Sequence, residues 1–544
     1  MLITADKFEE MYGEICNISQ GKGKRSVQIF IAPTVDAIVC YKILTMLFQC
    51  DGILHTAIPV NNQDTLVRCF KDALKHTDVH SVIFIDCGAN LDIEEIVPET
   101  LEISVYVLDS HRPFYPKNVS SQHIHLLTHL EYLQIEDQPQ NEKADLIEGS
   151  DDCMGLLEPE KETPIDYIRK TTVTTGEFFS ESVARVALGI AMKIKRVSKV
   201  MYWYAAIGLA DQYVTLKINA KTYSNAMDFF RKSLKLEILE STDLLQTVKT
   251  DMCIKMDCQL MLLRHWTLYD SLFHTREIAS RLGIWNSRGK EKFDVLIADM
   301  GIPLAQAKQN YRTMGLEMKN KFLSKIDGYA KYYKFENMFL PAFFRKHGSD
   351  YTISAIDATY AISTVITNDE EDKTWQTQFW EGYKLVSSDI AEAYKPGFEK
   401  CIEVNKVMVE TGIMLMLSKN ITNEENRYRF CSVTDPLLAS KFKATYKALQ
   451  LAQFLAETAS RRYKKWLPLV LTVLDVEKKT FVVVGYSSPI SIKNMNYFGA
   501  KFMQTAEKLK IVLLQKSFDS YIAEIHRDNL IRYKRALVKC FETI

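Results

Sequence analysis

The amino-acid sequence predicts an α/β fold with a parallel sheet in its first part. Between Val27 and Leu127, short β-rich runs alternate with segments of helical periodicity. Strands separated by helices in this way are typical of βαβ units with right-handed crossovers. The chain has 544 residues, of which 47% are apolar and 25% charged. Length and composition therefore predict about two to four folded domains and exclude a wholly disordered or collagen-like chain.

The first predicted domain, residues 1–215, carries the parallel sheet. Its strand runs are VQIFIA, HTAIPV, SVIFID, ISVYVLD and HIHLL, and its helical runs include DAIVCYKILTMLFQ, DTLVRCFKDALK and KVMYWYAAIGLADQYV. Residues 136–166 interrupt this pattern with eleven acids against two lysines. Such a composition, without apolar periodicity, predicts a loosely held acidic loop.

The second predicted segment, residues 216–387, is mainly helical. Two helical stripes stand out, and their members are Leu262, Trp266, Tyr269 and Phe273 in the first and Phe293, Leu296, Ile297 and Met300 in the second. Stripes of this spacing usually pack in a core, and a groove for a partner is the alternative. Gly301 and Pro303 end the second helix.

The third predicted domain, residues 388–544, is a smaller α/β unit. Its strand runs are GIMLML, RYRFCSV, WLPLVLTVL and TFVVVGY, and its helices are KATYKALQLAQFLAETA and a segment from Tyr497 to Leu509. The alternation of strands and helices again predicts a mixed layer structure.

Charge is unevenly distributed along a chain whose formal net charge is zero. Lysine plus arginine and aspartate plus glutamate both number 68, which excludes a bulk polycation. The region from Lys441 to Ile544, however, has 19 basic residues against 8 acids. The longest apolar run, Val200 to Ala210, has eleven residues and is shorter than the ~18–20 needed to cross a membrane. A nucleic-acid contact in the last part is therefore compatible with the composition.

Three of the predicted strands end in or near an acid, which points to a site at one edge of the sheet. The candidate residues are Asp36, Asp86, Asp109 with His111, and Asp211 after the most apolar helix. Because the carboxyl ends of parallel strands share one edge, these side chains should converge. Clustered carboxylates with a histidine suit a pair of hard divalent ions such as Mn²⁺, as in phosphoesterases. The alternative is that each aspartate caps a helix.

Two basic clusters are candidate single-strand binding surfaces. Cations alternate with aromatic rings in Arg461, Arg462, Tyr463, Lys464, Lys465 and Trp466, and a second small patch comprises Lys193, Lys195, Arg196 and Lys199. Ammonium and guanidinium groups can meet phosphates while rings stack on bases. A solvated turn is the alternative for both. His123, His125 and His129 form a weaker candidate metal set, for which a structural role is the alternative.

At these residues the sequence resembles known proteins. The strings TVDA, IDCG, DSH and GLADQ, in that order, resemble the motifs of the DHH phosphoesterase superfamily, which contains the RecJ-type exonucleases. The stretches CGANLDI, DSHRP, RHWTLYDSL, LADMGIPLAQAKQ, VVVGYSSP and NYFGAKF resemble the eukaryotic cell division cycle protein 45 family over nearly the whole chain. The resemblance implies a RecJ-like DHH domain, a helical insertion and a basic DHH-associated C-terminal domain.

The chain departs from the superfamily pattern at places that matter for catalysis. Thr34 stands where an active enzyme has a metal-binding aspartate, and Ser110 stands where it has a histidine. The glycine-rich phosphate cradle keeps only Gly499, beside the bulky Tyr497 and Phe498. The resemblance therefore implies a catalytically inactive site. Its remaining acids either hold one weak Mg²⁺ or Mn²⁺ or form a structural cluster with His111 and Arg112, and no other cofactor is expected.

The family resemblance implies a non-enzymatic scaffold subunit of the replicative helicase. It implies the MCM hexamer, the GINS complex and single-stranded DNA as partners, a nuclear location, no membrane, and a monomer outside that complex. The helical insertion, around residues 266–366, would dock on partners, with Trp266, Leu296, Met300 and Leu304 as candidate contacts. Two alternatives are an active manganese-dependent phosphoesterase or exonuclease, and a single-stranded DNA-binding protein without assembly partners.

Overall fold

The computed structural model of the chain describes most of the sequence. The described residues are 1–20, 26–76, 79–97, 103–128, 176–236, 238–239, 251–348, 351–367, 373–418, 420–487 and 495–541. The predicted acidic loop over residues 136–166 and the candidate ligand His129 lie outside these ranges.

A six-stranded sheet organises the first part of the chain. The strands up to residue 179 are β1 Leu2–Ile3, β2 Ser26–Ile31, β3 His55–Pro59, β4 Val79–Ile85, β5 Ser104–Leu108, β6 His111–Arg112, β7 Ile124–Leu127 and β8 Phe178–Phe179. The sheet has the order β1-β7-β5-β4-β2-β3, and every pairing in it is parallel. Strands β6 and β8 form a separate antiparallel ribbon. The predicted parallel α/β architecture is thus confirmed.

Helices cover the faces of this sheet. They are α1 Phe8–Gln20, α2 Val35–Asp51, α3 Gln63–Ala73, α4 Ile93–Ile96, α5 Pro116–Ser120, α6 Val183–Lys193 and α7 Lys199–Val214, with a 3₁₀ turn at Ala5–Lys7. Helices α2 and α7 are apolar on nearly all sides because both lie inside the protein. The indole of Trp203 on α7 is fully buried.

The middle of the chain contains a second sheet that the sequence pattern did not predict. After α8 Ala220–Leu234, the strands β9 Ile238–Leu239, β10 Met252–Cys258, β11 Phe339–His347 and β12 Tyr351–Ser354 form a sheet of order β12-β11-β10-β9. Lys255 and Asp257 interrupt the apolar pattern of β10, and Pro341 and Arg345 interrupt that of β11. The predicted mainly helical content of residues 216–387 is therefore incomplete.

Helices fill the rest of this middle region. They are α9 Leu268–His274, α10 Arg276–Leu282, α11 Ser287–Asp299, α12 Leu304–Ala307, α13 Leu316–Tyr333, α14 Ala355–Ile366 and α15 Trp375–Val386, with a 3₁₀ turn at Leu263–His265. The predicted continuous helix through Leu262 and Phe273 is wrong, since Leu262 has the left-handed values φ 46° and ψ 38°. A left-handed residue ends the regular helical path there.

A third sheet lies in the last part of the chain. Its elements are α16 Lys395–Leu417, β13 Thr422–Glu424, β14 Tyr428–Val433, α17 Pro436–Lys441, α18 Thr445–Tyr463, β15 Leu469–Asp475, β16 Thr480–Tyr486, α19 Phe498–Leu509, β17 Leu514–Gln515, β18 Ile522–His526 and α20 Leu530–Cys540, with 3₁₀ turns at Ala391–Tyr394 and Arg527–Asn529. The strand order is β13-β14-β15-β16-β18-β17. The predicted strand GIMLML is wrong, because these residues form the last turns of α16.

Two hydrophobic cores hold the three sheets, and their limits differ from the predicted segment limits. One core contains the parallel sheet together with residues 340–401, and the other contains residues 258–338 together with the C-terminal sheet. Helix α16 enters both, with Phe398 in the first core and Met408 in the second. The boundaries at 215 and 387 therefore stay a prediction. Within the described ranges, no helix is both long and apolar enough to cross a membrane.

Gly208 on α7 gives a test of the close packing between α2, α6 and α7. A Cβ atom at this position would lie 2.8 Å from the Ala184 Cβ and against the Asp36 carboxylate. We expect Gly208→Ala to lower the free energy of unfolding by about 1–3 kcal/mol, because overpacking forces neighbours apart. Urea unfolding followed by circular dichroism measures this change.

Gly328→Ala on α13 is the matched control. A Cβ atom there meets no atom within 4 Å, so the same substitution should stabilise the helix by up to about 1 kcal/mol. An equal response of the two variants would contradict the described packing of α7.

Candidate functional site

The carboxyl edge of the parallel sheet brings together the residues predicted from strand ends. Those residues are Asp36, Asp86, Asp109, His111 and Asp211, and all five are buried. Asp36 lies in the first turn of α2 after β2, Asp86 follows β4, and Asp109 follows β5. Their convergence follows from the parallel order of these strands, as predicted.

Asp86 occupies the centre of the cluster in a strained backbone conformation. Its φ of 54° is in the left-handed region, which costs an aspartate of order 1 kcal/mol. Thr34 Oγ1 donates to Asp86 Oδ2 at 2.7 Å, and Ser110 Oγ donates to Asp86 Oδ1 at 2.9 Å. The two residues that depart from the superfamily pattern therefore both hydrogen-bond the same carboxylate.

Asp36 caps a helix, although not the one that it begins. Its carboxylate accepts hydrogen bonds from Ser182 Oγ at 2.6 Å, from the Val183 N–H at 2.9 Å and from the Ala184 N–H at 3.0 Å, at the start of α6. The Asp36 N–H in turn donates to Asp211 Oδ2 at 3.2 Å. The helix-cap alternative thus describes Asp36, because the α6 N–H groups and the positive end of the helix dipole favour an anion there.

His111 joins the first half of the chain to the second. Its Nδ1 lies 2.6 Å from Asp109 Oδ1, and its Nε2 lies 3.1 Å from Asp519 Oδ1 in the loop before β18. The Asp109 carboxylate also accepts the N–H of Ala89 at 2.8 Å. Arg112, the predicted partner of the acids, donates to the carbonyl oxygens of Asp109 and His111, both at 2.8 Å.

Three members of the cluster, Glu177, Lys217 and Asp519, were not predicted from the sequence. Lys217, whose side chain is 10% exposed, places Nζ 3.8 Å from Asp519 Oδ1 and 4.5 Å from the centre of the Phe179 ring. Glu177 accepts hydrogen bonds from the N–H and the hydroxyl of Ser520. These residues lie outside the motifs of the acids, and a lone lysine or glutamate in a sequence is usually solvated. No local signal identifies them, because their partners are hundreds of residues away.

His111 and Lys217 are positively charged and neutralise the carboxylate of Asp519. Burial alone lowers the pKa of His111, but the Asp109 and Asp519 carboxylates raise it well above its ordinary value. Burial also lowers the pKa of Lys217, and the surrounding acids, Asp519 first, raise it above its ordinary value. Burial raises the pKa of Asp519, but Lys217 and His111 outweigh this effect and lower it to about 2. Asp519 is therefore ionised and held between two positive charges.

Three buried acids of the cluster, Asp36, Glu177 and Asp211, are incompletely compensated. Burial raises the pKa of Asp211 to about 6 although Lys217 opposes the shift. Burial raises the pKa of Glu177 to about 7, and burial together with the Asp86 carboxylate raises that of Asp36 to about 7. These carboxyl groups take up protons near neutral pH, as acids packed together are expected to do.

The pair of divalent ions that an active phosphoesterase would hold does not fit these residues. Two sets of side chains bring potential metal-ligand atoms together, and within each set these atoms lie within 4.8 Å of one another. The sets are Asp86, Asp109 and His111, and His111, Glu177 and Asp519. His111 belongs to both groups, yet both its ring nitrogens contact carboxylates, and a protonated imidazole has no lone pair for a metal. The Lys217 ammonium adds a second positive charge at 3.8 Å from Asp519. The cluster contains its own cations.

The position of the phosphate cradle is occupied by a packed helix start. Phe498, the first residue of α19, is buried, and a Cβ atom on Gly485 of β16 would collide with its ring. The neighbouring Asn496 forms a backbone bridge with Glu177, whose N–H donates to the Asn496 carbonyl at 2.9 Å. Together with the contact between His111 and Asp519, this backbone bridge joins the first half of the chain to the second.

The basic end of α18 opens on a large cavity between the two cores. The cavity has a volume of about 710 Å³ and its lining includes Arg276, Arg281, Glu277, Glu457, Arg461, Lys464, Lys465 and Trp466. Arg276 pairs with Glu457 at 3.1 Å, whereas Lys464 and Lys465 have no carboxylate partner among the described residues. Arg462 differs from the predicted pattern, since its guanidinium donates to the carbonyl of Met416.

The second basic patch lies at the end of α6 and in the turn after it. Lys193, Lys195, Arg196 and Lys199 are exposed there. Arg196 forms an ion pair with Asp51 at the end of α2, so its charge is not available to a ligand without breaking that pair. A DNA contact through Lys193 and Arg196 stays a prediction.

The predicted docking residues are mostly buried in the second core. Leu296 and Met300 are fully buried, and Trp266 stacks on His274 with ring centres 4.8 Å apart. Their assignment as partner contacts is therefore wrong for this conformation, and the core alternative describes them. Leu304 is 39% exposed and stays a candidate contact. His125 stacks on Tyr106 at 4.9 Å, which fits the structural alternative for that histidine.

Fold and site together define a class of protein: a multidomain α/β protein built on a parallel sheet, whose carboxyl edge holds a buried acidic cluster with internal cations. The family model CDC45 matches residues 27–166 and 156–539. The chain therefore belongs to the CDC45 family, and the resemblance is confirmed.

Individual relatives agree with this family. The human cell division control protein 45 homolog is 27% identical and aligns over 94% of this chain and 96% of its own length. Cell division control protein 45 of Saccharomyces cerevisiae is 22% identical over 96% of this chain and 97% of its own. The crystal structure of CDC45 from Entamoeba histolytica is 60% identical over the full length of both chains, with a TM-score of 0.81. Family membership gives the chain a role in DNA replication.

Replacing Lys217 tests whether an internal cation holds the acidic cluster together. We expect Lys217→Met to lower the free energy of unfolding by about 3–5 kcal/mol near pH 7, because it leaves buried carboxylates without their counter-charge. The loss should be smaller near about pH 5. Burial already raises the pKa of Asp211 to about 6, so the folded state binds protons there more tightly than the unfolded state, and stability falls as pH rises through this window.

Urea unfolding of both proteins at several pH values measures this difference. Lys331→Met is the control, because Lys331 is exposed and, among the described residues, forms its ion pair with Asp327 on the same helix. A loss that is equal at about pH 5 and about pH 8 would mean that packing of the side chain, and not its charge, stabilises the cluster.

Proposed function

We propose that the chain is a non-catalytic scaffold subunit of the replicative helicase in the nucleus. In this role it joins the MCM hexamer to the GINS complex and contacts single-stranded DNA. Family membership supports the assignment to the replication machinery. The finer assignment of partners rests on the family resemblance of the sequence.

The observation that carries the non-catalytic part of the proposal is the position of Lys217 and His111. Two-metal phosphoryl transfer needs carboxylates that are free to hold divalent ions on both sides of the phosphate. Here Asp519 Oδ1 lies 3.8 Å from Lys217 Nζ and 3.1 Å from His111 Nε2 instead. Asp36 holds the start of α6, and Asp86 accepts the hydroxyls of Thr34 and Ser110. These three carboxylates therefore form ion pairs or hydrogen bonds with groups of the protein itself.

The cavity at the end of α18 supports the DNA-binding part. Lys464, Lys465 and the exposed ring of Trp466 follow one another in the chain and all line this cavity. Exposed ammonium groups beside an aromatic ring bind single strands with little sequence preference. The lining carries equal numbers of acids and basic side chains. Its acids pair with arginines, so Lys464 and Lys465 are left without a carboxylate partner among the described residues.

Reconstitution with the proposed partners tests the scaffold role and the absence of catalysis on one sample. We expect the purified chain, mixed with the MCM hexamer and GINS, to elute with both as one complex on size exclusion. The same fractions, incubated with labelled single-stranded DNA and Mn²⁺, should retain the DNA uncut.

Two outcomes would contradict this proposal in different ways. Elution of the chain apart from both partners would remove the scaffold role and leave the alternative of a DNA-binding protein that acts alone. Cleavage that disappears in the Asp86→Ala variant would establish the phosphoesterase alternative.

The lysines beside Trp466 should contribute to DNA affinity through phosphate contacts. We expect Lys464→Ala with Lys465→Ala to weaken binding of a labelled single strand and to reduce the slope of log affinity against log salt by about 1–2, since each phosphate contact releases about one counterion. Fluorescence anisotropy at several salt concentrations measures both quantities.

Lys325→Ala with Lys331→Ala on α13 is the charge-matched control. These exposed lysines do not line the cavity. An equal loss of affinity in both double variants would show that total charge, and not the cavity, determines binding.

A further inference from the structure

A small pocket at the start of α13 has positively charged walls. Its volume is about 140 Å³, and it is lined by Arg264, His265, Tyr311, Arg312, Leu316, Lys319, Asn320, Leu323 and Thr352. This volume is well below the roughly 300–1,000 Å³ of pockets for drug-sized ligands. The pocket can therefore accommodate one side chain or one small ion, but not a nucleotide. Its lining residues include no acid.

Two of the lining cations have no counter-ion among the described residues. The Arg312 guanidinium lies 3.6 Å from the centre of the Tyr351 ring, and Lys319 Nζ donates to the Arg312 carbonyl at 2.8 Å. Burial and the neighbouring Arg312 lower the pKa of Lys319. Two like charges placed together without an acid repel each other, and an anion between them would remove that repulsion.

Arg264, the third lining cation, is already neutralised. Its guanidinium lies 3.2 Å from Asp257 Oδ2 and 3.4 Å from Asp357 Oδ2, and both carboxylates are buried. His265 Nε2 lies 3.6 Å from Asp357 Oδ2 on the same side. The positive potential of the pocket therefore comes from Arg312 and Lys319, which lie on the side of α13.

A buried hydroxyl and a helix start add hydrogen-bond donors to this wall. Tyr311 is 5% exposed and lines the pocket, yet its hydroxyl has no hydrogen-bond partner among the described residues. Buried hydroxyls are nearly always paired, so an unpaired one indicates a missing acceptor. Helix α13 begins at Leu316, and Gly315 before it has no side chain to accept the first N–H groups. The positive end of the helix dipole favours an anion there.

We propose that this pocket binds one compact oxyanion, a carboxylate or a phosphate. Arg312 and Lys319 supply the charge, and the Tyr311 hydroxyl donates a hydrogen bond to one of its oxygens. The anion comes either from an acidic or phosphorylated side chain of a partner protein or from free phosphate in solution. The site shares no lining residue with the acidic cluster or with the cavity at α18, although Arg264 pairs with Asp257 and Asp357 of that cavity.

Calorimetric titration of the full chain at constant ionic strength tests this site and separates the two sources of the anion. The probes are inorganic phosphate and three peptides of equal length with a central serine, phosphoserine or glutamate. We expect the phosphoserine or glutamate peptide, or phosphate, to bind, and the serine peptide to give no heat. Tighter binding of a peptide than of phosphate would identify a protein side chain as the ligand.

Variants then assign the binding to this pocket. Arg312→Ala with Lys319→Ala should weaken binding at least about tenfold, and Tyr311→Phe should weaken it about threefold or more, as expected for lost hydrogen bonds to a charged group. Tyr311→Phe keeps the ring and the fold. Lys331→Ala, later on the same helix, should change nothing. Equal affinity in all variants, or no binding of any of the anions, would overturn the proposal.

Discussion

The arrangement of the molecule depends on one partly buried carboxylate, that of Asp519, which two cations share. Asp519 comes from the loop before β18, His111 from the edge of the parallel sheet, and Lys217 from the turn after α7. Burying any of these charges alone would be very costly, and each is stable inside the protein only because the others are in place. The two cores therefore cannot separate at this point without exposing or protonating the cluster, and the second contact, between Glu177 and Ser520, closes the same junction.

The same cluster compensates much of its negative charge with groups of the protein itself. If Thr34 and Ser110 replace metal-binding groups, as the resemblance implies, their hydroxyls now neutralise part of the charge on Asp86 through hydrogen bonds. Lys217 and His111 supply the positive charge that divalent ions would otherwise bring. The remaining excess of acid is relieved by proton uptake, since burial raises the pKa of Asp211 to about 6. The left-handed φ of Asp86 is maintained because hydrogen bonds from Thr34 and Ser110 fix its side chain.

Local sequence patterns predicted the features that depend on nearby residues in the chain, such as the strands of the parallel sheet. They did not predict the features that depend on contacts between distant residues. The parallel sheet and the convergence of Asp36, Asp86 and Asp109 follow from strand ends that share one edge. A short apolar run such as GIMLML is compatible both with a buried strand and with the last turns of a helix. Here it continues the long helix α16 and is therefore helical. Lys217 and Asp519 meet across 302 residues, a separation that no periodicity or motif can reveal.

The turn that carries Lys217 also connects the acidic cluster to the cavity. Leu216 and Ile218 line that cavity, whereas Lys217 between them reaches the cluster. Leu216 has a φ of 61°, a left-handed conformation that side chains of this type rarely adopt and that reverses the chain here. Backbone hydrogen bonds from Lys217 and Ile218 to the Gln212 carbonyl fix this turn, and the ion pair between Lys217 and Asp519 ties it to the cluster. A change in the charge of the cluster would therefore act on a turn whose flanking residues line the same cavity as Lys464 and Lys465, which carry the proposed DNA contact.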